Sequence, residues 1–215
     1  MLSLSTDEQL REVLCMGAHC DDVEIGCGGT LATLARARPD LRITVVVFTS
    51  DLVREAESRA ALARLLPNHR PRLEFCTFRN GYFPAEWAAI KERIESLRTT
   101  VQPDLILTHN EHDKHQDHRV LAELTWNAFR DHLILQYEIP KYDGDLGRPQ
   151  LYVPLELEVV ELKERVLIDS FVTQAEKRWF TADTFHGLMR LRGIEAAAPD
   201  GFAEAFYARK LVLGM

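Results

Sequence analysis

Residues 18–30, AHCDDVEIGCGGT, connect a predicted strand to a predicted helix. The apolar run before them, residues 13–16, is typical of a buried strand, and residues 31–37 are typical of a helix. In an open α/β sheet such a turn lies at the carboxyl end of a strand, where these folds bind their ligands. His19, Asp21 and Asp22 bring one imidazole and two carboxylates to that place, although an ordinary helix start with Asp22 as its N-cap has the same pattern.

A second polar cluster favours a binding site over a simple helix cap. Residues 109–118, HNEHDKHQDH, contain four of the 8 histidines of the chain, and they follow a strand-like run at 104–108 and precede a helical pattern at 120–129. Because both clusters follow strands, we expect them to face one crevice. His19, Asp22 and His118 would then provide three ligands and leave a position for water, which is the arrangement of a catalytic zinc site.

These two clusters resemble the motifs of the PIG-L/LmbE-like family of metal-dependent N-acetylglucosaminyl deacetylases. AHCDD at 18–22 is similar to the family's Ala-His-Pro-Asp-Asp, with Glu24 and Gly28-Gly29 following, and HQDH at 115–118 matches its His-x-Asp-His. Arg54 and Glu57 match a weaker Arg-x-x-Glu feature. Cys20 stands where the family has proline, and Lys114 adds a positive charge beside the second motif. We predict that the Cys20 thiol points away from the metal.

The charge requirements of amide hydrolysis suggest roles for further residues of the two clusters, and the resemblance implies the same roles. Asp21 is next to a ligand and is the predicted general base for the attacking water. Protonated His115 is the predicted donor to the oxyanion, and Asp117 is predicted to hold and charge that imidazole. The resemblance implies that Arg54 contacts substrate, although a surface cation paired with Glu57 or Ser58 is equally consistent with the sequence. The remaining histidines considered are predicted to lie in loops or on the surface: His109, His112 and His186.

Strand and helix patterns alternate along the chain. Strands are predicted at 41–48, 72–78 and 104–108, with helices at 55–66, 87–97 and 120–129, which indicates an α/β, Rossmann-like three-layer fold with a mostly parallel central sheet. Strands at 133–139 and 151–155 and helices at 157–168 and 179–192 follow, as a C-terminal part that caps the crevice. Residues 204–213 alternate as a strand does, so we favour a final strand over a helix. Four residues of this part are candidates for substrate contact: Glu138, Tyr142, Arg192 and Glu204.

The composition of the chain indicates a globular protein and argues against several other classes. The 215 residues are 46% hydrophobic and 27% charged, which predicts one globular domain over 1–215. The net charge of −7 argues against a nucleic-acid surface. No apolar run approaches the ~20 residues of a membrane span, and residues 1–11 show no signal peptide. The four cysteines form no CxxC pair, so we expect a cytoplasmic location. The sequence is consistent with both a monomer and a homo-oligomer.

The donor set predicts a Zn²⁺-dependent hydrolase, and the resemblance implies that it removes the acetyl group from an N-acetylglucosamine-type substrate. The same ligands also suit Fe²⁺. Free N-acetylglucosamine, a nucleotide-linked sugar, a glycolipid and a pseudo-disaccharide would all present the required acetamide. One alternative is a non-catalytic metal- or sugar-binding module, although pure binding does not require Asp21. Another is a dinucleotide-binding oxidoreductase using Gly26-Cys27-Gly28, but Leu31 occupies the third small position and the acidic turn would repel a pyrophosphate.

Overall fold

The structure, a computed structural model, describes residues 10–212, and its centre is a seven-stranded sheet. The strand order is β3-β2-β1-β4-β5-β7-β6, and every pairing from β3 to β5 is parallel. The last two strands are antiparallel to their neighbours. The strands are β1 Glu12–His19, β2 Arg42–Thr49, β3 Arg72–Phe75, β4 Leu105–His109, β5 Leu133–Tyr137, β6 Leu151–Pro154 and β7 Ala203–Ala208.

Helices cover both faces of this sheet and produce three layers. The helices are α1 Asp22–Ala37, α2 Leu52–Leu65, α3 Trp87–Arg98, α4 Gln116–Ala128, α5 Leu157–Ser170 and α6 Ala182–Ala196. One core cluster lies under α1, α2, α5 and α6, and the other lies under α3 and α4. The predicted α/β fold with a mostly parallel sheet is therefore confirmed. Within residues 10–212, each helix is too short or too polar to cross a membrane.

The strand order reverses beside β1, and this reversal creates the site. After β1 the chain builds β2 and β3 on one side, then returns to place β4 and β5 on the other. Crossovers on opposite sides leave a crevice at the carboxyl ends of β1 and β4, where doubly wound sheets bind ligands. The acidic turn follows β1 and the histidine cluster follows β4, as the sequence predicted.

Most predicted elements are present with bounds shifted by a few residues, and two differ more from the structure. Helix α1 begins at Asp22, well before the predicted start at Leu31, so the glycine-rich stretch is helical and buried. The predicted final strand is confirmed, but it spans Ala203–Ala208, and Leu213 lies outside the described residues.

Helix α1 is kinked at Cys27, where φ is −146° and ψ is 15°. A kink interrupts the helical hydrogen bonds and leaves backbone groups that need other partners. Glu204 accepts from the amides of Gly29 (2.8 Å) and Thr30 (2.7 Å). Lys163 donates to the Ile25 carbonyl (2.5 Å) and to Glu204 (2.6 Å). Glu204 is thus a buried support for α1, and its contact with substrate stays a prediction.

The first turns of α1 rest directly on β5. A Cβ atom added at Gly26 would lie 2.2 Å from Cδ2 of Tyr137. The hydroxyl of Tyr137 donates to the carbonyl of Met16 at 2.8 Å, so the ring has little freedom to withdraw. This contact brings the start of α1, and with it Asp22, close to the ends of the central strands.

Replacing Gly26 with alanine should therefore destabilise the protein. We expect Gly26→Ala to lower the free energy of unfolding by about 1–3 kcal/mol, because overpacking forces the ring or the backbone to move. Urea denaturation followed by circular dichroism measures this. The matched control is Gly187→Ala on α6, where an added Cβ meets nothing within 4 Å. An unchanged midpoint in Gly26→Ala would contradict the described contact.

Glu204→Gln should also destabilise the protein, because it leaves the Lys163 ammonium buried without its carboxylate. Breaking a buried pair on one side costs about 3–5 kcal/mol. The double variant Lys163→Met/Glu204→Gln should recover part of that loss. The control is Glu158→Gln, whose side chain is 84% exposed; it should change the unfolding free energy by no more than about 0.5 kcal/mol. Equal effects of Glu204→Gln and Glu158→Gln would refute the support of the kink.

Candidate metal centre and active site

Three predicted ligands meet at the carboxyl ends of β1 and β4. His19 ends β1, Asp22 begins α1, and His118 lies in the first turn of α4. Nδ1 of His19 is 3.2 Å from Nε2 of His118 and 3.3 Å from Oδ2 of Asp22, and His118 Nε2 is 3.5 Å from Asp22 Oδ1. In a tetrahedral site with metal–ligand bonds of about 2.0–2.2 Å, ligand atoms are about 3.3–3.6 Å apart. The spacing of these three donors therefore fits one small divalent ion.

The outer contacts of the two imidazoles determine which nitrogens face this point. His118 Nδ1 is 2.8 Å from Asp113 Oδ2, and His19 Nε2 is 3.2 Å from Asp117 Oδ2. If each of these nitrogens donates its proton to a carboxylate, the opposite nitrogen of each ring presents a lone pair. Two lone pairs and the Asp22 carboxylate then converge without a donor among them. Such a set of acceptors needs a positive charge, which a proton on His19 or a metal ion can supply.

The charges around the centre agree with this requirement. Burial opposes protonation of His19, but the carboxylates of Asp22, Asp117 and Asp21 outweigh it and raise its pKa to about 10. Burial, together with the neighbouring His109, lowers the pKa of His118 to about 3. The site thus attracts one positive charge to the place that His19 and Asp22 share. A divalent ion would compete with the His19 proton for that place.

Asp21 lies beside the three ligands and has a strained backbone. Its φ is 131° and its ψ is −25°, a region that residues with a side chain rarely adopt. Its carboxylate is paired with Arg54 (Oδ2–Nη2 3.1 Å). Burial and the adjacent Asp22 raise the pKa of Asp21 to about 7, although Arg54 opposes the shift. A carboxylate of this kind can exchange a proton near neutral pH.

Arg54 is a neighbour of Asp21 and is largely covered by protein. It contacts the Cys20 carbonyl and the Asp21 carboxylate, and its Nε is 3.5 Å from Glu57 Oε2. Glu57 in turn accepts from the backbone N–H (2.8 Å) and the hydroxyl (2.6 Å) of Thr173. The predicted pair with Glu57 is present, but Arg54 is directed into the crevice. Its contact with substrate stays a prediction.

His115 lies close to the proposed ligands, as predicted, but its protonation state differs from the prediction. The residue is the N-cap of α4, and its Nδ1 accepts the backbone N–H of Asp117 at 3.2 Å. Burial and the nearby His19 lower the pKa of His115. The predicted imidazolium is therefore wrong for this structure. Because Nδ1 accepts, the neutral ring carries its proton on Nε2 and remains a hydrogen-bond donor.

Asp117 has different partners from those predicted. Its carboxylate accepts from the amides of Gly81 (2.6 Å) and Phe83 (3.1 Å), and it contacts Nε2 of His19. The predicted pairing of this carboxylate with the His115 ring is wrong. In the first turn of α4 it is directed to the loop after β3 and to β1, so it orients a proposed ligand.

Two residues of the site were missed or misjudged in the sequence. His109, predicted to be a loop or surface residue, is fully buried at the end of β4, and its Nε2 is 3.1 Å from Asp22 Oδ2. Its ring stacks on that of His118 with centroids 3.8 Å apart. Its position at the end of β4 matches that of His19 at the end of β1 and could have indicated this. Asp113, the partner of His118, carried no such signal. The predictions for His112 and His186 are confirmed, since both are exposed.

The Cys20 thiol occupies the turn without joining the donors. Its Sγ lies 3.7 Å from the Thr49 carbonyl oxygen at the end of β2. Burial raises the pKa of this thiol, so it is neutral near pH 7. These observations support the predicted orientation away from the metal ligands.

Known proteins with a similar sequence or a similar fold include deacetylases. A curated relative, named as an uncharacterized deacetylase YaiS of Escherichia coli K12, is 33% identical over 150 residues, covering 64% of this chain and 78% of the relative. The fold is similar to that of the N,N'-diacetylchitobiose deacetylase of Pyrococcus horikoshii, with a TM-score of 0.72, 19% identity and coverage of 94% and 84% of the two chains.

The same fold also occurs in a different kind of enzyme. The 4-carboxy-2-hydroxymuconate hydratase GalB of Pseudomonas putida KT2440 aligns with a TM-score of 0.75 and 16% identity, over 96% of this chain and 99% of that one. At such identities the solved structures establish the architecture alone.

The family itself is established by sequence. A model described as PIG-L, GlcNAc-PI de-N-acetylase, matches residues 14–129, which is more than half of the chain. That range runs from within β1 to the end of α4, and it includes both motifs. The chain therefore belongs to the PIG-L family.

Proposed function

We propose that this protein is a metal-dependent hydrolase that removes the acetyl group from an N-acetylglucosamine-type amino sugar. The observation that carries the proposal is the convergence of three donors, from His19, Asp22 and His118, beside an additional buried carboxylate, Asp21. A binding site would need only the donors. A carboxylate with a pKa near neutrality beside them supports catalysis.

His19, Asp22 and His118 would hold the ion, which we propose to be Zn²⁺, with Fe²⁺ as the other ion that this donor set suits. When bound, such an ion polarises the acetamide carbonyl and makes water a better nucleophile at neutral pH. Asp113 and Asp117, which contact the outer nitrogens of the two imidazoles, would keep them in the orientation that such an ion needs.

Asp21 would act as the general base. It accepts a proton from the attacking water and can later deliver that proton to the amine of the departing sugar, because its pKa of about 7 allows both directions. Arg54, which lies 3.1 Å from the Asp21 carboxylate, keeps this side chain at the edge of the donor set. Arg54 is also the proposed contact for the substrate.

His115 would stabilise the negative charge that develops on the acetamide oxygen. Its Nε2–H donates a hydrogen bond to that oxygen, while Nδ1 is occupied by the Asp117 amide. The ring lies edge-on to His19, with centroids 4.9 Å apart, so the donor is close to the proposed ion. A neutral imidazole suffices for this role.

Family membership and the name of the YaiS relative support deacetylation. The hydratase with the same fold shows that the architecture also serves other chemistry, so the reaction must be measured. Acetate release should be assayed with N-acetylglucosamine, N,N'-diacetylchitobiose, a nucleotide-linked N-acetyl sugar and an N-acetylglucosaminyl lipid. We expect release from at least one substrate. A fully metallated protein that releases no acetate from any of them would refute the proposed activity.

The wild-type protein should bind about one divalent ion per chain, and His118→Ala and Asp22→Ala should lose it. Each variant removes one of three donors, and binding of the ion depends on all three. Elemental analysis after dialysis measures the content. His112→Ala is the matched control, because this exposed histidine belongs to the same stretch. Full occupancy in His118→Ala would show that the ligands are assigned incorrectly.

Asp21→Asn should retain the ion and lose turnover. We expect kcat to fall about 10²–10⁴-fold with little change in KM, because an amide cannot accept the proton of the attacking water. Steady-state acetate release and metal content are measured on the same sample. Asp40→Asn, which changes an exposed carboxylate in the turn before β2, is the control. Loss of the ion in Asp21→Asn would instead make Asp21 a ligand.

A further inference from the structure

A buried lysine joins two of the loops that surround the proposed metal centre. The side chain of Lys141 is only 8% exposed. Its ammonium donates to Asp113 Oδ2 (2.9 Å), to Asp145 Oδ2 (2.7 Å) and to the Ile139 carbonyl (3.4 Å). Lys141 follows β5, whereas Asp113 follows β4. All three of its N–H groups are therefore engaged, and two of them hold carboxylates.

The carboxylate of Asp113 is shared between Lys141 and the proposed metal ligand. Its Oδ2 also accepts from His118 Nδ1 at 2.8 Å, and its Oδ1 accepts the backbone N–H of His115 at 2.7 Å. Lys141 is thus connected to the proposed ligand His118 through the carboxylate of Asp113. Metal-binding imidazoles depend on such partners for their tautomer and ring orientation.

Asp113 also borders a small, partly open cleft, which is lined by Lys141, Asp145, Asn110 and Tyr207, among others. The N–H of His115 holds Oδ1 of Asp113, and Lys141 is the charged contact that holds Oδ2 on the side of this cleft. Asp145 completes the restraint from the other side, because its Oδ2 accepts both Lys141 and the backbone N–H of Lys114 (2.7 Å).

We propose that Lys141 is a positioning residue for the metal centre. It holds the Asp113 carboxylate in the orientation that accepts the His118 Nδ1–H, and so keeps the Nε2 lone pair of His118 directed at the ion. The inference rests on the proposed metal site and deepens it. Lys114, the positive charge noted beside the second motif, is exposed. We therefore assign the effect on the site to the buried Lys141.

The affinity for Zn²⁺ tests this proposal without an activity assay. We expect Lys141→Met to raise the Zn²⁺ dissociation constant about 10-fold or more, the effect of losing an outer-shell partner. The measurement is competition with a chromophoric chelator, supported by the visible spectrum of the Co²⁺-substituted protein, which should change because the geometry at His118 changes. Lys141→Arg should restore most of the affinity, since a guanidinium can donate to both carboxylates.

Lys114→Met is the matched control, because it removes an equal charge from the same region and leaves the hydrogen bonds of the network in place. Its Zn²⁺ affinity and Co²⁺ spectrum should be those of the wild type. If Lys141→Met binds Zn²⁺ as tightly as the wild type, or more tightly, the proposal is overturned, since the lysine would then act only by electrostatic repulsion of the ion or not at all.

Two further results separate the outcomes. A wild-type protein that binds no Zn²⁺ and no Co²⁺ would refute the metal site itself, whereas a loss confined to Lys141→Met leaves the site intact and supports the positioning role. Should Lys141→Met fail to fold, Lys141→Gln keeps an N–H donor without the charge. We expect it to bind Zn²⁺ more weakly than Lys141→Arg, and equal affinities of these two variants and the wild type would overturn the proposal.

Discussion

The abrupt turn from β1 into α1 is the constraint on which the rest of the site depends. Cys20 and Asp21 alone separate the strand from the helix, and Asp21 adopts a strained φ of 131° to make the turn. Such strain persists only when the surrounding structure holds it. Here the contact of Gly26 with Tyr137 and the buried Lys163–Glu204 pair hold α1 against the sheet. The turn therefore keeps one imidazole and two carboxylates close together, at the place proposed for the ion.

Several buried carboxylates are concentrated in one crevice of the site, and their negative charges need partners. Three of them have a dedicated partner: Asp113 has Lys141, Asp117 has backbone amides, and Asp21 has Arg54. Without such partners, buried carboxylates would take up protons and lose their ability to orient the imidazoles. Asp21 differs from the others, since burial and Asp22 together keep its pKa close to neutrality. The same crowding of acids thus separates the proposed acid–base group, Asp21, from the groups that we propose to orient the imidazoles.

Much of this arrangement was accessible from the sequence. Alternating strands and helices predicted the parallel sheet, and polar clusters directly after two strands predicted where the site lies, because parallel strands end at one edge. The proposed donors His19, Asp22 and His118 were predicted in this way, and the structure places them together. The errors concern pairs that are distant in sequence. Asp117 was assigned to its neighbour His115, but its carboxylate contacts His19 and the loop after β3.

The sequence by itself determined the strand–helix alternation, the place of the site and the residues proposed as its donors, since these follow from local patterns of polarity and from spacing. Only the tertiary structure decided which partner each buried polar group has: Glu204 with the kink of α1, Lys141 with Asp113, and His109 with Asp22. These partners lie on different strands and helices, and packing determines which of them meet. A buried charge must find its counterpart wherever the fold brings one within hydrogen-bonding distance, and no local pattern in the chain records that distance.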